Sequence, residues 1–156
     1  RLGVAPMRVS DRQALRLQLM AHEGSGPMRA GRHLAYQCPA GKTTIAYGRN
    51  LDDVGLSPEE ARDLLDHDIQ VCLDDLSTFQ WFGGLDPIRQ RALVDMRFQL
   101  GPIGFRGFSR MIAAVAAGDY ARAAVEALDS DWFRQDTPAR AARVSSMLET
   151  GREVGS

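Results

Sequence analysis

"YQCPAGKTTIAYGRNL", residues 36–51, is the strand-like passage of a helix-rich chain. Thr43, Thr44 and Ile45 are β-branched, and Pro39-Ala40-Gly41 supplies a turn ahead of them, so "KTTIAY" reads as a strand entered from a turn. The pattern from Leu34 to Tyr47 predicts a small hairpin or a three-stranded sheet. The same passage holds Cys38, one of two cysteines among 156 residues.

Helices flank this sheet. Upstream, "SDRQALRLQLMAH" places Leu15, Leu17, Leu19 and Met20 among polar residues, with Ser10 as cap and Asp11 in the first turn. That helix ends at Glu23, where the Gly and Pro of "EGSGPMRAG" break it. Downstream, "LSPEEARDLLDHDIQVCLDDLSTF" carries a capping box, with Ser57 at the N-cap, Pro58 at N1 and Glu60 at N3. Ala61, Leu64, Leu65, Ile69, Cys72, Leu73 and Leu76 follow at helical spacing. Seven acidic residues between Glu59 and Asp75, against Arg62 alone, make its outer face anionic. Cys72 lies on the apolar stripe and reads as core.

The remainder predicts helices. One begins at cap Asp86 with Pro87 at N1 and stops at Gly101; the next stops at Gly118; a third begins from Asp119; the last runs from Thr137 and Pro138 to Gly151. The architecture expected is α+β and mostly helical: a small front lobe over 10–56, a linking helix over 57–80 and a helical back lobe over 86–151.

Length suits one domain, or two small lobes sharing a core. The net charge of −1 gives no global basic field, so nucleic acid is not an expected partner. Residues 1–86 hold 9 basic and 12 acidic side chains and residues 87–156 hold 10 and 8, which leaves the back half mildly cationic. No apolar run approaches the length of a membrane span, and no signal peptide is visible. The first residue, Arg1, suggests a processed product or a domain cut from a longer protein. Two cysteines are too few for a disulfide framework, and His22, His33 and His67 show no metal-ligand spacing, so no metal is expected.

Glu23 closes a helix before a glycine-rich loop, a place from which a carboxyl can face a cleft while its backbone is held. Glycoside cleavage needs such an acid, with a second group opposite it. Taken alone, Glu23 reads as a solvated helix-end glutamate more readily than as an acid, and Thr44 is simply a good strand former.

Together, "HEG", "AYQCPAGKTTIAYGRNL", "MRFQLG" and "DWFRQDTPARAARV" resemble the phage-type lysozymes, the T4-type muramidases of glycoside hydrolase family 24, in order and spacing from about Leu15 to Thr150. The resemblance implies a single lysozyme-like two-lobed domain over residues 1–156. It also implies an active site of a glutamate, an aspartate or cysteine, and a threonine, falling here on Glu23, Cys38 and Thr44. Phe98 and Gln99 would line the cleft floor, and Arg140 would pair with the glutamate from the back lobe.

The substrate implied is the peptidoglycan glycan strand, cut at the β-1,4 bond after N-acetylmuramic acid. No cofactor is needed, and an isolated domain would act as a monomer at the bacterial cell wall. A phage endolysin waiting in the host cytoplasm, a virion-associated lysozyme and a bacterial effector all fit. Trp132 and Phe133 read as back-lobe core, and Trp81 receives no role.

Two departures from the pattern stand out. The interval from Glu23 to Cys38 is about six residues longer than is usual in the family, so "GSGPMRAGRH" reads as an expanded, looser loop. Ala46 stands where a glycine is usual, which removes a permissive backbone position. Cys38 as a thiol is a weak base at neutral pH, so positioning water or steadying positive charge suits it better than covalent attack. The alternatives are a lytic transglycosylase, a chitinase-like hydrolase and a non-catalytic lysozyme-like binding module.

Overall fold

Ser57 and Glu60 form the reciprocal cap the sequence predicts. Ser57 N donates to Glu60 Oε2 at 2.8 Å, and Glu60 N donates to Ser57 Oγ at 3.1 Å. The helix they start, Pro58–Leu76, is the second of six α-helices among the described residues, 6–130 and 137–155, of a computed structural model. Trp132 and Phe133 lie outside those residues. The chain divides into two compact units, one through Ala61 and one from Arg62.

The first unit opens with α1, Val9–Glu23. Its start departs from expectation. Arg8, not Ser10, occupies the N-cap position, and its Nε binds Asp11 Oδ2 at 2.9 Å. The unit's sheets are small and antiparallel: β1 (Met28–Arg29) with β2 (Arg32–His33), and β3 (Tyr36–Gln37), β4 (Thr43–Ile45) and β5 (Arg49–Asn50) in that order. Tyr36 pairs with Thr44, and Thr44 with Asn50. The expected three-stranded sheet is therefore present. The expected loose loop is instead a hairpin. Ala30 and Gly31 both have positive φ, 51° and 75°, which is the backbone twist a two-residue hairpin turn demands.

Ala46 sits at φ 54° in the β4–β5 turn, the left-handed region that favours glycine. The missing glycine is thus a local strain. Ala46→Gly is expected to raise stability by about 0.5–1 kcal/mol, the relief of left-handed strain less the extra entropy of an unfolded glycine. Urea unfolding checks this; an unchanged or lower midpoint contradicts it.

The second unit is a helical assembly that takes in α2 (Pro58–Leu76) from Arg62 onward. It contains α3 (Pro87–Arg106), α4 (Ser109–Ala116), α5 (Tyr120–Leu128) and α6 (Pro138–Thr150). Asp86 caps α3 through the N–H groups of Ile88 and Arg89. Gly101, at φ 72° and ψ 173°, breaks α3 where the sequence predicted a stop, and Pro102 restarts it. Leu76, Leu93, Met96, Phe105, Met111, Val144 and Leu148 form the buried core. Trp81 stacks on Phe79 at 5.0 Å and packs against this core. Cys72 is buried as expected. No helix among the described residues is long and apolar enough to cross a membrane.

Candidate active site

Glu23 is the last residue of α1, and Gly24 (φ 70°, ψ 172°) turns the chain away directly behind it. The carboxylate lies against the β4–β5 turn. A Cβ built on Gly48 would stand 3.1 Å from Glu23 Oε2, at a φ of +84° that also disfavours a side chain. Glycine at position 48 therefore allows both the turn and the close approach of the carboxylate. Within its unit Glu23 is exposed and makes no hydrogen bond or ion pair among the described residues.

Cys38 and Thr44 come from the other end of the same sheet. The turn 38–42 closes on itself: Cys38 N donates to Lys42 O at 3.0 Å, and Gly41 N donates to Cys38 O at 2.8 Å. This winding turns backbone N–H groups towards the sulfur. The Lys42 N–H is the main cause that holds the Cys38 thiol below its ordinary pKa. Partial burial opposes it, and the Ala40 N–H and the Thr44 hydroxyl assist. Thr44 is only 4% exposed, and its hydroxyl donates to Lys42 O at 3.0 Å. Rotation about its C–O bond takes the same proton towards Cys38. Thr44 is thus bonded to the turn that carries Cys38.

Cys38 and Cys72 are both free thiols. Burial pushes the Cys72 thiol up, the opposite of Cys38. Because the thiolate is the reactive form, iodoacetamide at neutral pH is expected to alkylate Cys38 at least about tenfold faster than Cys72. Cys38 should also retain its reactivity to lower pH than free cysteine does. Peptide mapping of a timed reaction reads this; equal labelling would contradict the bonded turn.

The β1–β2 hairpin between Glu23 and Cys38 is anchored on both sides. His33 Nδ1 donates to Ser25 O at 2.8 Å, and Leu34 N to Pro27 O at 2.9 Å. The His33 ring meets Tyr47 edge-on, with centroids 5.2 Å apart. Gly26 permits the entry to this hairpin, since a Cβ there would stand 2.7 Å from Tyr36 Cε1. The hairpin thus leans on the turn that carries Gly48.

In the second unit, Phe98 and Arg140 line one cavity of about 690 Å³, together with Leu65, Val94 and Met147. Phe98 is 41% exposed, which suits a surface for a ring better than a core position. Arg140 was expected to face a glutamate, and its ion pair is with Asp95: Nε to Oδ1 is 2.6 Å. Gln99 points elsewhere, its Nε2 donating to Thr137 Oγ1 at 2.8 Å. The structure therefore groups Glu23, Cys38 and Thr44 within one unit and joins Phe98 to Arg140 in the other. Gln99 stays with Thr137. No group of three or more potential metal ligands occurs among the described residues.

The sequence reading missed Gly48 as the residue that admits the Glu23 carboxylate, and Asp95 as the partner of Arg140. A turn glycine four residues beyond Thr44 was the available signal for the first. The second had none, because an acid forty-five residues from its arginine carries no local pattern.

A helix ending in a carboxylate, a three-stranded antiparallel sheet and a following helical assembly define a lysozyme-like α+β protein. The chain belongs to the phage lysozyme family, whose model matches residues 28–149. It is 34% identical over 100 residues to the pre-baseplate central spike protein Gp5 of Enterobacteria phage T4, covering 62% of this chain and 17% of that protein. It is 33% identical over 102 residues to probable T4-type lysozyme 2 of Dictyostelium discoideum, covering 62% of this chain and 58% of the relative. A second Dictyostelium protein, probable T4-type lysozyme 1, is 32% identical over 102 residues, covering 62% of this chain and 58% of that relative. The chain thus spans less than two thirds of the length of the curated relatives it matches.

Proposed function

We propose that this chain is a muramidase that hydrolyses the β-1,4 bond between N-acetylmuramic acid and N-acetylglucosamine in peptidoglycan. The observation that carries this reading is the set in the first unit: a helix-end carboxylate let in by Gly48, and a cysteine whose own turn favours its thiolate. Glu23 delivers a proton to the leaving glycosidic oxygen as the C–O bond breaks. Water supplies hydroxide to the anomeric carbon, and its remaining proton returns to the carboxylate or to solvent.

Cys38 steadies the positive charge that develops at that carbon, or orders the attacking water, and needs no covalent bond to do so. The turn supports this role better than an unassisted thiol would, because the Lys42 amide favours the charged form. Thr44 holds Cys38 and the Lys42 carbonyl in place. In the second unit, Phe98 offers an apolar face to a sugar ring. Arg140 is held in orientation by Asp95 at the same cavity and would bind polar groups of the glycan. Gln99 binds an N-acetyl group only if the substrate displaces its bond to Thr137.

No cofactor enters this scheme, and the isolated domain works as a monomer. The likeness to a phage spike protein favours a virion-associated enzyme acting on the cell wall over a free endolysin. Digestion of purified peptidoglycan tests the activity. New reducing ends support hydrolysis, anhydromuropeptides would indicate a transglycosylase, and no digestion would leave a glycan-binding module.

A further inference from the structure

Glu23 ends α1, and its carboxylate has no hydrogen-bond or ion-pair partner among the described residues. Its pose therefore depends on the two backbone segments beside it. One is the stretch that follows, where Gly24 and Gly26 flank Ser25 at φ 70° and 62°. The other is the β4–β5 turn, where Gly48 lies against the carboxylate. Glycine on both sides of Ser25 gives that stretch more backbone freedom than other residues would, so the local chain does not fix it.

One residue reaches both segments. His33 Nδ1 donates to Ser25 O at 2.8 Å, and the His33 ring meets Tyr47, the neighbour of Gly48, with centroids 5.2 Å apart. A carbonyl oxygen can only accept, so Nδ1 carries the proton of this bond. The Tyr47 contact sets the plane of the imidazole and so aims Nδ1 at the carbonyl. His33 is itself held in β2, opposite Met28, and by the bond from Leu34 N to Pro27 O at 2.9 Å. We propose that His33 is a positioning residue for Glu23, tying the Ser25 carbonyl to the Tyr47–Gly48 turn so that the carboxyl stays at the bond it protonates. This rests on the muramidase reading, and gives the hairpin over residues 28–33 a part in it: His33 acts through the backbone around the acid and not on the glycan.

Nitrogen NMR of the parent protein tests the bond without turnover. At about pH 8, where imidazole is neutral, His33 is expected in the Nδ1–H form. The carbon NMR signal of the Glu23 carboxyl should be displaced in His33→Ala and parental in His33→Asn, whose side-chain N–H reaches the same carbonyl. On peptidoglycan, His33→Ala is expected to lower kcat about tenfold with KM unchanged, since misplacing an acid costs rate and not sugar binding. His33→Asn should recover most of that loss. His33→Phe, which keeps a ring beside Tyr47 but has no donor, should not.

An Nε2–H form of neutral His33, an unmoved Glu23 signal in His33→Ala, or equal losses in His33→Ala and His33→Asn would overturn the proposal. A rise in KM at constant kcat would overturn it too, by placing His33 on the substrate. His33→Asn and His33→Phe should unfold at similar urea midpoints, so a difference in rate between them reports the bond and not the fold. Absence of cleavage by the parent protein would remove the muramidase reading, and the two NMR measurements would still decide whether His33 holds Glu23.

Discussion

Glu23→Gln is expected to lower the rate of glycan cleavage by about 10²–10⁴-fold, the usual contribution of a positioned general acid. KM should change little. Glutamine keeps the shape that lies against Gly48 and keeps the end of α1, so sugar binding has no reason to weaken. What it loses is the transferable proton. A fall confined to kcat, with affinity and the unfolding midpoint preserved, is the signature of that loss. A fall below about tenfold would assign the acid to another residue.

The second large effect is on stability. Asp75, near the end of α2, accepts bonds from two arginines: Arg97 Nε at 2.5 Å, and Arg106 Nη2 at 2.5 Å and Nη1 at 3.0 Å. The Arg97 side chain is only 9% exposed, and Asp75 has few routes to water. Asp75→Ala would leave the Arg97 guanidinium buried with its main partner gone, a change expected to cost about 3 kcal/mol.

The same contacts give a pH dependence. The bonds from Arg106, with those from Arg97, hold the Asp75 carboxyl at about 2 against burial that pushes it up. Its folded pKa lies below the unfolded one. The stabilisation is therefore complete above about pH 4, and is lost as pH falls through about 2. Over that window Asp75 accounts for about 2 kcal/mol. Urea unfolding of the parent and of Asp75→Ala between pH 2 and 7 should show the two curves converging towards the acid end. A constant gap would mean the carboxylate is not the source.

The helical unit was the more legible in sequence because its elements carry their own stop signals. Ser57 with Glu60, Asp86 with Pro87, and Gly101, Gly118 and Gly151 each mark a terminus through local chemistry that tertiary contacts did not override. One cap misled: α1 begins at Val9, so Arg8, bonded to Asp11, stands at the N-cap position and Ser10 lies inside the helix. Thr137 is the N-cap of α6 as the sequence indicates, although its hydroxyl bonds Gln99 and not its own helix.

The hairpin over residues 28–33 was not readable as strands. Each strand has two residues and no buried face, so no alternation exists to detect, and its decisive feature is the positive φ of Ala30 and Gly31. The candidate site divides in the same way. Glu23, Cys38 and Thr44 were located through the resemblance, since a helix-end glutamate and a strand threonine are ordinary taken singly. The bonded turn around Cys38 and the approach of Glu23 to Gly48 depend on how the sheet brings separate segments together. Composition and spacing do not report that.

The most direct test of the account is to digest purified peptidoglycan with this chain and with its Glu23→Gln variant, and to identify the new ends by mass spectrometry. Muropeptides with reducing N-acetylmuramic acid ends, formed by the parent and absent with the variant, are the predicted result. Anhydro ends, equal digestion by both proteins, or no digestion by either would contradict a muramidase in which Glu23 is the acid.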